Sequence, residues 1–268
     1  MPSFPTPDPI TASVEVVSGS VHVTASERDH TLVKVTPRDP NRASDVRIAE
    51  RARVDFRNGT LVVSVGRRFV SVGRGGAVVV DIELPSGSRL QVSSVSAKVR
   101  AEGEFGDCRF STVSGDATVA SIAGKIKADS SSGGISVESL TGAADISTAS
   151  GDNTIGALAG EVKFRAASGS LSVGELRGGV NAQTSTGDIA VTAAVAGSVT
   201  VQTGSGDVEV GVVEGTAARL ELRSRSGEVR NTLRPTDGPA DDEETLTMEV
   251  RSGSGDITVQ RATVGVVG

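Results

Sequence analysis

Two neighbouring carboxylates and a third close by are the residues of this sequence with the clearest capacity for chemistry. Asp188 and Asp207 each follow glycine in a Ser/Thr-Gly-Asp tripeptide, and Glu209 lies just beyond Asp207. A pair of carboxyl groups can hydrolyse a glycosidic bond. The acid of such a pair needs a pKa raised by burial or by its neighbour, whereas Gly-Asp marks an exposed corner. No Tyr or Trp is present to hold a sugar ring. A polysaccharide-active or polysaccharide-binding protein is therefore an alternative and not the main prediction.

The Gly-Asp pair recurs along the chain, and a row of carboxylates could bind Ca²⁺, because hard cations take several oxygen ligands. The carboxylates are Asp116, Asp152, Asp188, Asp207 and Asp256, with Glu228 at the same place in a further copy. Gly134 and Ser170 interrupt the row, and the interruptions dilute its charge. We expect structural corners instead, with glycine supplying a positive φ and Asp hydrogen-bonding the corner backbone. Neither a metal nor a cofactor is predicted.

The remaining reactive side chains give weaker signals. His22 and His30 have no third ligand at a spacing that suits a metal. Cys108 falls in an apolar column, so we expect a buried small hydrophobe and not a nucleophile. Arg67, Arg68 and Arg74 lie in the Gly-rich stretch 66–76, which lacks the Gly-Lys-Ser/Thr of a phosphate-binding loop and is typical of a solvated hairpin loop.

Composition argues against several classes of partner. A net charge of −6 and the absence of Tyr and Trp disfavour nucleic acid. No run reaches the roughly 18 apolar residues of a membrane helix. The start, MPSFPTPDPI, has no basic segment followed by an apolar one, so we expect a cytoplasmic protein. One cysteine permits no internal disulfide, and no small-molecule substrate is evident.

The corner glycines recur at a nearly constant interval, which is the signature of a repeat architecture. The interval is the same for the first five and then lengthens; the glycines are Gly115, Gly133, Gly151, Gly169, Gly187, Gly206, Gly227 and Gly255. Ala97 lies one such interval before the first and is interpreted as a degenerate copy. Counted from each glycine, apolar residues return at positions +2, +4, +7, +11 and +13. Alternation by two predicts strands, and the glycines mark the corners between them.

One repeat of strand, corner, strand and corner buries nothing alone, so the copies must stack. The sequence predicts an all-β protein, a right-handed single-stranded β-solenoid of about 18 residues per coil, each coil about 4.8 Å above the last. At +13, Phe110 and Phe164 are separated by smaller residues, which allows a narrow core to fill without voids. Position +12 is expected to face solvent.

The chain is predicted to be a single domain over residues 1–268. Residues 10–84 alternate in three segments and are predicted to form an N-terminal β cap, since caps cover the exposed first edge of a solenoid. Within it, residues 41–56 are expected to form either a short helix from about Ser44, which we favour, or a bulged loop. Residues 85–262 form the solenoid repeats, and 236–244 form an inserted acidic loop. The apolar end, residues 263–268, is expected to cover the last coil or to contact a second molecule.

The step ELPSGSRLQV, followed by SGDATV, TGDIAV, SGDVEV and SGDITV, resembles the bacterial putative-adhesin family, a domain of unknown function common in actinobacteria. The resemblance covers nearly the whole chain. It implies a β-solenoid with tandem SGD repeats and surface attachment, and it supplies no catalytic residues.

These observations predict a non-enzymatic scaffold or interaction module that presents flat β faces to a macromolecular partner. The partner is expected to be another protein or a second copy of the chain, and not nucleic acid or a membrane. The alternatives are the polysaccharide protein with Asp188, Asp207 and Glu209, and Ca²⁺ binding by the corner carboxylates.

Overall fold

The computed structural model of the chain describes residues 2–66, 76–235, 238 and 243–262. These residues form 21 strands and one helix, so the predicted all-β class is confirmed for them. The chain divides into two compact units, Met1–Val137 and Glu138–Gly268, and each is described by itself.

The first unit contains the helix. Its elements are β1 (Ser3–Pro5), β2 (Thr11–Ser26), β3 (His30–Pro37), α1 (Ala43–Glu50), β4 (Arg53–Arg57), β5 (Thr60–Val65), β6 (Val78–Pro85), β7 (Arg89–Phe105), β8 (Cys108–Thr112), β9 (Ala117–Ile122) and β10 (Ile126–Ser130), with β11 (Ile135–Leu140) crossing the division. The helix predicted from about Ser44 is thereby confirmed.

Parallel pairing dominates this unit. One row of hydrogen-bonded neighbours runs in the order β5, β2, β7, β8 and β10. A second row runs in the order β6, β2, β7 and β9. The long strands β2 and β7 take part in both rows. Cys108 pairs with Ile126 and Val99 with Ala117, which is the same step that separates the corner glycines. The register follows from the pattern because each strand has one buried row, and a slip of one residue would turn that row to solvent.

The first copy of the repeat lies far upstream of Ala97. Gly19 pairs with Ala97, and Val21 with Val99, although β3 to β6 and α1 all intervene between β2 and β7 in the chain. The signal is present in the sequence as Val-Ser-Gly-Ser-Val-His-Val. Its distance from the next copy is several times the repeat period, so the spacing hides it.

Antiparallel strands close the outer edge of the first unit. β3 pairs with β6, β1 with β3, and β4 with β5. The rings of Phe4 in β1 and Phe56 in β4 stack with centroids 5.2 Å apart, which adds apolar contact between the two closing strands.

The second unit consists of strands alone in its described residues. They are β12 (Ala143–Thr148), β13 (Asn153–Leu158), β14 (Glu161–Ala166), β15 (Leu171–Thr184), β16 (Ile189–Thr203), β17 (Val208–Val212), β18 (Thr216–Ser224), β19 (Val229–Asn231), β20 (Glu244–Ser252) and β21 (Ile257–Arg261). All of the pairings between them are parallel.

Stacking in chain order, expected from the spacing, is wrong at the end of this unit. β21 lies between β17 and β19, pairing Ile257 with both Val208 and Val229. β20 likewise lies between β16 and β18. The last strands of the chain are therefore inserted one layer inside, and the earlier β18 and β19 are outermost among the described strands.

The inward columns are confirmed. Positions +2, +4 and +7 hold buried residues in both units, and so does +13, where Phe110 and Phe164 are each at most 2% exposed. Within the units, Phe110 pairs with Ala128, and Phe164 lies between Ile146 and Ala182, so large and small side chains alternate as predicted.

Candidate functional site

The corner glycines occupy places where a side chain would collide with the neighbouring strand. A methyl carbon on Gly115, Gly133, Gly187 or Gly206 would lie under 3.0 Å from the carbonyl oxygen of the corner residue in the preceding copy. The same holds for Gly169 against Gly151, Gly255 against Gly206, and Gly227 against Gly255. The positive φ expected of these glycines is wrong, because the glycines with positive φ in the described residues are others, such as Gly19 and Gly197. Close backbone approach, and not conformational freedom, requires glycine here.

A hydroxyl lies three residues before every corner glycine except Gly169, and the sequence reasoning missed it. Its oxygen accepts the glycine N–H at 2.8–3.0 Å; the pairs are Thr112–Gly115, Ser130–Gly133, Thr148–Gly151, Thr184–Gly187, Thr203–Gly206, Ser224–Gly227 and Ser252–Gly255. Ala166 replaces the hydroxyl before Gly169. The recurring Ser/Thr-x-x-Gly was a visible signal for this bond.

The aspartates after the corner glycines tie one copy to the next. Asp188 Oδ1 accepts the N–H of Asp207 at 2.8 Å, Asp207 Oδ1 accepts that of Asp256 at 2.8 Å, and Asp256 Oδ1 accepts that of Glu228 at 2.8 Å. Asp116 accepts the N–H of Gly134 at 3.2 Å, and Asp152 accepts the Ser170 hydroxyl at 2.5 Å. The bonded group thus belongs to the adjacent copy and not to the aspartate's own corner. Hydrogen bonds to a carboxylate are among the stronger ones in proteins, so these bonds hold the layers in register.

The candidate glycosidase residues lie together but on the open surface. Asp188, Asp207 and Glu209 are all exposed, and one oxygen of Asp188 is occupied by the backbone of Asp207. Glu209 Oε1 accepts from Gln260 Nε2 at 2.9 Å. These exposed carboxylates lack the buried setting in which a glycosidase holds its catalytic acid.

The carboxylate row differs from chain order only in its last two members, because Asp256 lies between Asp207 and Glu228. Ser170 separates Asp152 from Asp188 as expected, but Asp188, Asp207, Asp256 and Glu228 then follow in successive layers. Among the residues that the structure describes, no three His, Cys, Asp or Glu side chains form a group that could hold a metal ion.

Both histidines pair with exposed carboxylates of the first unit. His22 Nδ1 lies 3.1 Å from Asp81 Oδ1, and His30 Nδ1 lies 2.6 Å from Asp29 Oδ1. The hydrogen bond with His30, together with its charge, holds the pKa of Asp29 below its usual value. Exposed pairs of this kind contribute little to stability.

Cys108 is 3% exposed, as predicted for its column. Burial raises the pKa of its thiol to about 12, further supported by the charge of Asp107 and opposed by a hydrogen bond from the backbone of Leu90. Such a thiol is a poor nucleophile. The predicted basic loop with Arg67, Arg68 and Arg74 lies outside the described residues, as do the acidic segment at 236–237, 239–242 and the terminal stretch 263–268.

One buried charge, Asp45 in the first turn of α1, was not singled out from the sequence. It is 2% exposed, and its oxygens accept from Ala77 N at 3.2 Å, Ser44 Oγ at 3.1 Å and Asp39 N at 3.3 Å. Burial raises the pKa of Asp45, but these hydrogen bonds and nearby Arg42 outweigh it and hold the pKa below its usual value. The carboxylate fastens α1 to the chain on both sides and has a structural role.

The sequence matches the family Toastrack DUF4097 over residues 10–260, nearly the whole chain. The chain belongs to this family. The predicted membership of a family of unknown function is therefore confirmed. No curated protein matches the sequence.

Solved structures similar to this Toastrack chain cover nearly its full length at low identity. A putative adhesin from Bacteroides fragilis is 13% identical, with 96% of this chain and 95% of that chain covered and a TM-score of 0.49. A putative lipid binding protein from Parabacteroides distasonis is 11% identical, with 98% and 96% covered and a TM-score of 0.42. Likeness at this level transfers no activity to the present chain.

In the described residues, no helix has the length and apolar character needed to span a bilayer.

Proposed function

We propose that this Toastrack protein is a non-enzymatic interaction module, a right-handed single-stranded β-solenoid that presents flat β faces to a macromolecular partner. The parallel registers within each unit repeat at the interval of the corner glycines, which supports the coil. Outward-facing polar rows support binding over catalysis, and the part of the chain that the structure describes has no group of chemically activated side chains.

The outward row of the second unit is the observation that carries this proposal. Six paired residues follow one another across neighbouring strands: Asp145, Lys163, Asn181, Thr200, Glu249 and Glu221. At a strand spacing of about 4.8 Å the row spans roughly 24 Å. A regular surface of this length fits contact with another large molecule, because such contacts use many weak interactions over an extended area.

In-cell cross-linking from this row tests the proposal. A photoreactive residue at Asn181 is expected to give discrete protein adducts, and Lys163→Glu is expected to reduce them. Lys125→Glu, an equally exposed change of the same charge in the first unit, is the matched control. A folded protein that gives no adduct from Asn181, or equal adducts in both charge variants, would contradict a role for this face.

The non-enzymatic part of the proposal has its own test. A glycan array and a reducing-sugar assay are both expected to be blank. A signal that Asp207→Asn abolished would instead establish the polysaccharide alternative. For Ca²⁺, we expect the same melting temperature with calcium and with chelator, since a ligand that binds only the folded state raises its stability.

We also propose that the protein acts in the cytoplasm of its cell and that its source is actinobacterial. Fractionation of the source cells with an antibody to the protein tests the location. Recovery of the protein with the envelope fraction would support the surface attachment that the family resemblance implies.

A further inference from the structure

The outermost strand of the second unit, β18, has one free edge among the described residues. β18 pairs with β20 from Thr216–Glu244 to Ser224–Ser252 without a register shift, and no other described strand pairs with it. The N–H of Arg225 donates to Ser252 O at 3.2 Å. Because backbone groups alternate sides along a strand, those of Ala218, Leu220 and Leu222 point away from β20. At the start of β18 the backbone of Thr216 is hydrogen-bonded to Val213 and to Arg261. The edge from Ala218 to Leu222 that follows is a template for another strand.

The inward-facing side chains of β18 are also partly exposed to solvent at this edge. The partners of Ala218, Leu220 and Leu222 in β20 are Leu246, Met248 and Val250, all at most 1% exposed. The three residues of β18 lie in the same inward row but are only half-buried. A further strand placed on β18 would cover them.

The charges of β18 select the strand that fits. When β18 is laid antiparallel on a second β18 about Leu220, Arg219 of each strand faces Glu221 of the other, and Ala218 faces Leu222. Both charged pairs are opposite in sign, which stabilises strands in contact. The two-fold axis then falls at a hydrogen-bonded pair of Leu220 residues, in agreement with the outward direction of their backbone groups. Arg219 has no ion pair with any described residue, whereas Glu221 pairs only with exposed Arg223 at 2.9 Å.

The edge strands of the first unit are not suited to pairing with a second copy of themselves. A second β4 laid on β4 about Asp55 would bring Arg53 against Arg57, and like charges directly opposite repel. Pro5 in β1 cannot donate a backbone hydrogen bond. Of these edges, only β18 is complementary to itself.

We propose that two copies of this chain associate through β18, antiparallel and with two-fold symmetry about Leu220. This inference rests on the proposed function as an interaction module and names one partner, a second copy, and its surface. An isologous contact closes on itself, so it yields a dimer and no filament.

Charge exchange in the purified full chain tests this contact. Arg219→Glu and Glu221→Arg each place like charges together twice, and each is expected to weaken the dimer at least about tenfold in sedimentation equilibrium. The double variant R219E/E221R restores opposite charges and is expected to recover the wild-type affinity. A mixture of the two single variants is expected to form the mixed dimer. Lys127→Glu, which makes the same charge change as Arg219→Glu at an exposed site in the first unit, should leave the affinity unchanged.

Cysteine cross-linking tests the register. Leu220→Cys brings two thiols to the axis with Cα atoms about 5.5 Å apart, within disulfide range, and is expected to oxidise to a covalent dimer. Leu222→Cys faces Ala218, and its own copy lies about 13 Å away, so no dimer is expected. Buried Cys108 does not compete.

Three outcomes would overturn the proposal: a monomer at all concentrations, an open polymer, or a dimer indifferent to the charge exchange. A monomer would show that β18 does not pair with a second copy. It would leave the interaction module standing, because adducts from Asn181 are read independently of self-association.

Discussion

The close approach of corner glycines gives the sharpest test of how the layers are held. A methyl carbon on Gly187 would overlap the carbonyl oxygen of Gly169, although the backbone of Gly187 does not require a positive φ. Gly179 in the same unit is the matched control, because its methyl carbon would meet only side-chain atoms, at 3.4 Å or more.

The expected magnitudes follow from these two environments. Gly187→Ala must separate the two layers locally and lengthen the 2.9 Å bond from Gly187 N to Thr184 Oγ1, and overpacking of this kind costs about 1–3 kcal/mol. Gly179→Ala fits without strain and reduces the entropy of the unfolded chain, which stabilises by about 0.4–1 kcal/mol. The two variants should therefore differ by about 1.5–4 kcal/mol in the free energy of unfolding.

Urea unfolding of both variants measures this difference directly, with the slope on denaturant checked for constancy. If glycine served only to relax the backbone, the two substitutions would cost equal amounts. Equal midpoints would refute the role of carbonyl approach at the corner.

Three further predictions concern single side chains. Thr184→Val removes the acceptor of the Gly187 N–H and is expected to cost about 1–3 kcal/mol in urea unfolding, whereas Ala166→Ser supplies the missing hydroxyl and should raise the midpoint; the opposite order would contradict the hydroxyl's role. The pKa of Asp45 is lowered in the folded state. Its carboxylate therefore stabilises the fold above the unfolded pKa of about 3.9, and this stabilisation is lost as pH falls through the folded pKa. The Asp45→Asn variant should accordingly be less stable than the wild type at pH 7 and should lose less stability than the wild type between pH 5 and pH 2. With a thiol pKa of about 12, Cys108 should react with a disulfide reagent at pH 8 only after unfolding, and fast labelling of the native chain would show that the site opens.

Much of the fold could be predicted from local pattern. The alternation around each corner glycine gives strands, and the constant step between the glycines gives the register of Cys108 on Ile126 and of Asn153 on Leu171. Both follow because a buried row must stay buried in every layer. The helix at Ala43–Glu50 was also predictable.

The candidate site was predicted less completely. The sequence places Asp188 and Asp207 at corners, but it does not say that each carboxylate bonds the backbone of the neighbouring layer. Nor does it reveal the reason for glycine at Gly187, because the colliding oxygen belongs to another repeat. Asp45 was overlooked since its partner Ala77 lies far along the chain, beyond α1, β4 and β5.

Sequence alone determined the repeat unit, its inward and outward rows, and the class of fold, because these depend on side-chain periodicity within single strands. Tertiary structure alone decided the order of the layers at both chain ends. Gly19 lies beside Ala97 despite the long segment between them, and β21 lies between β17 and β19. Nearly identical repeats can pair in several orders with the same local pattern. In the order adopted, β2 and β20, the first and last long strands, each have a neighbouring strand on both edges. The open edge therefore belongs to β18, which precedes β20 in the chain.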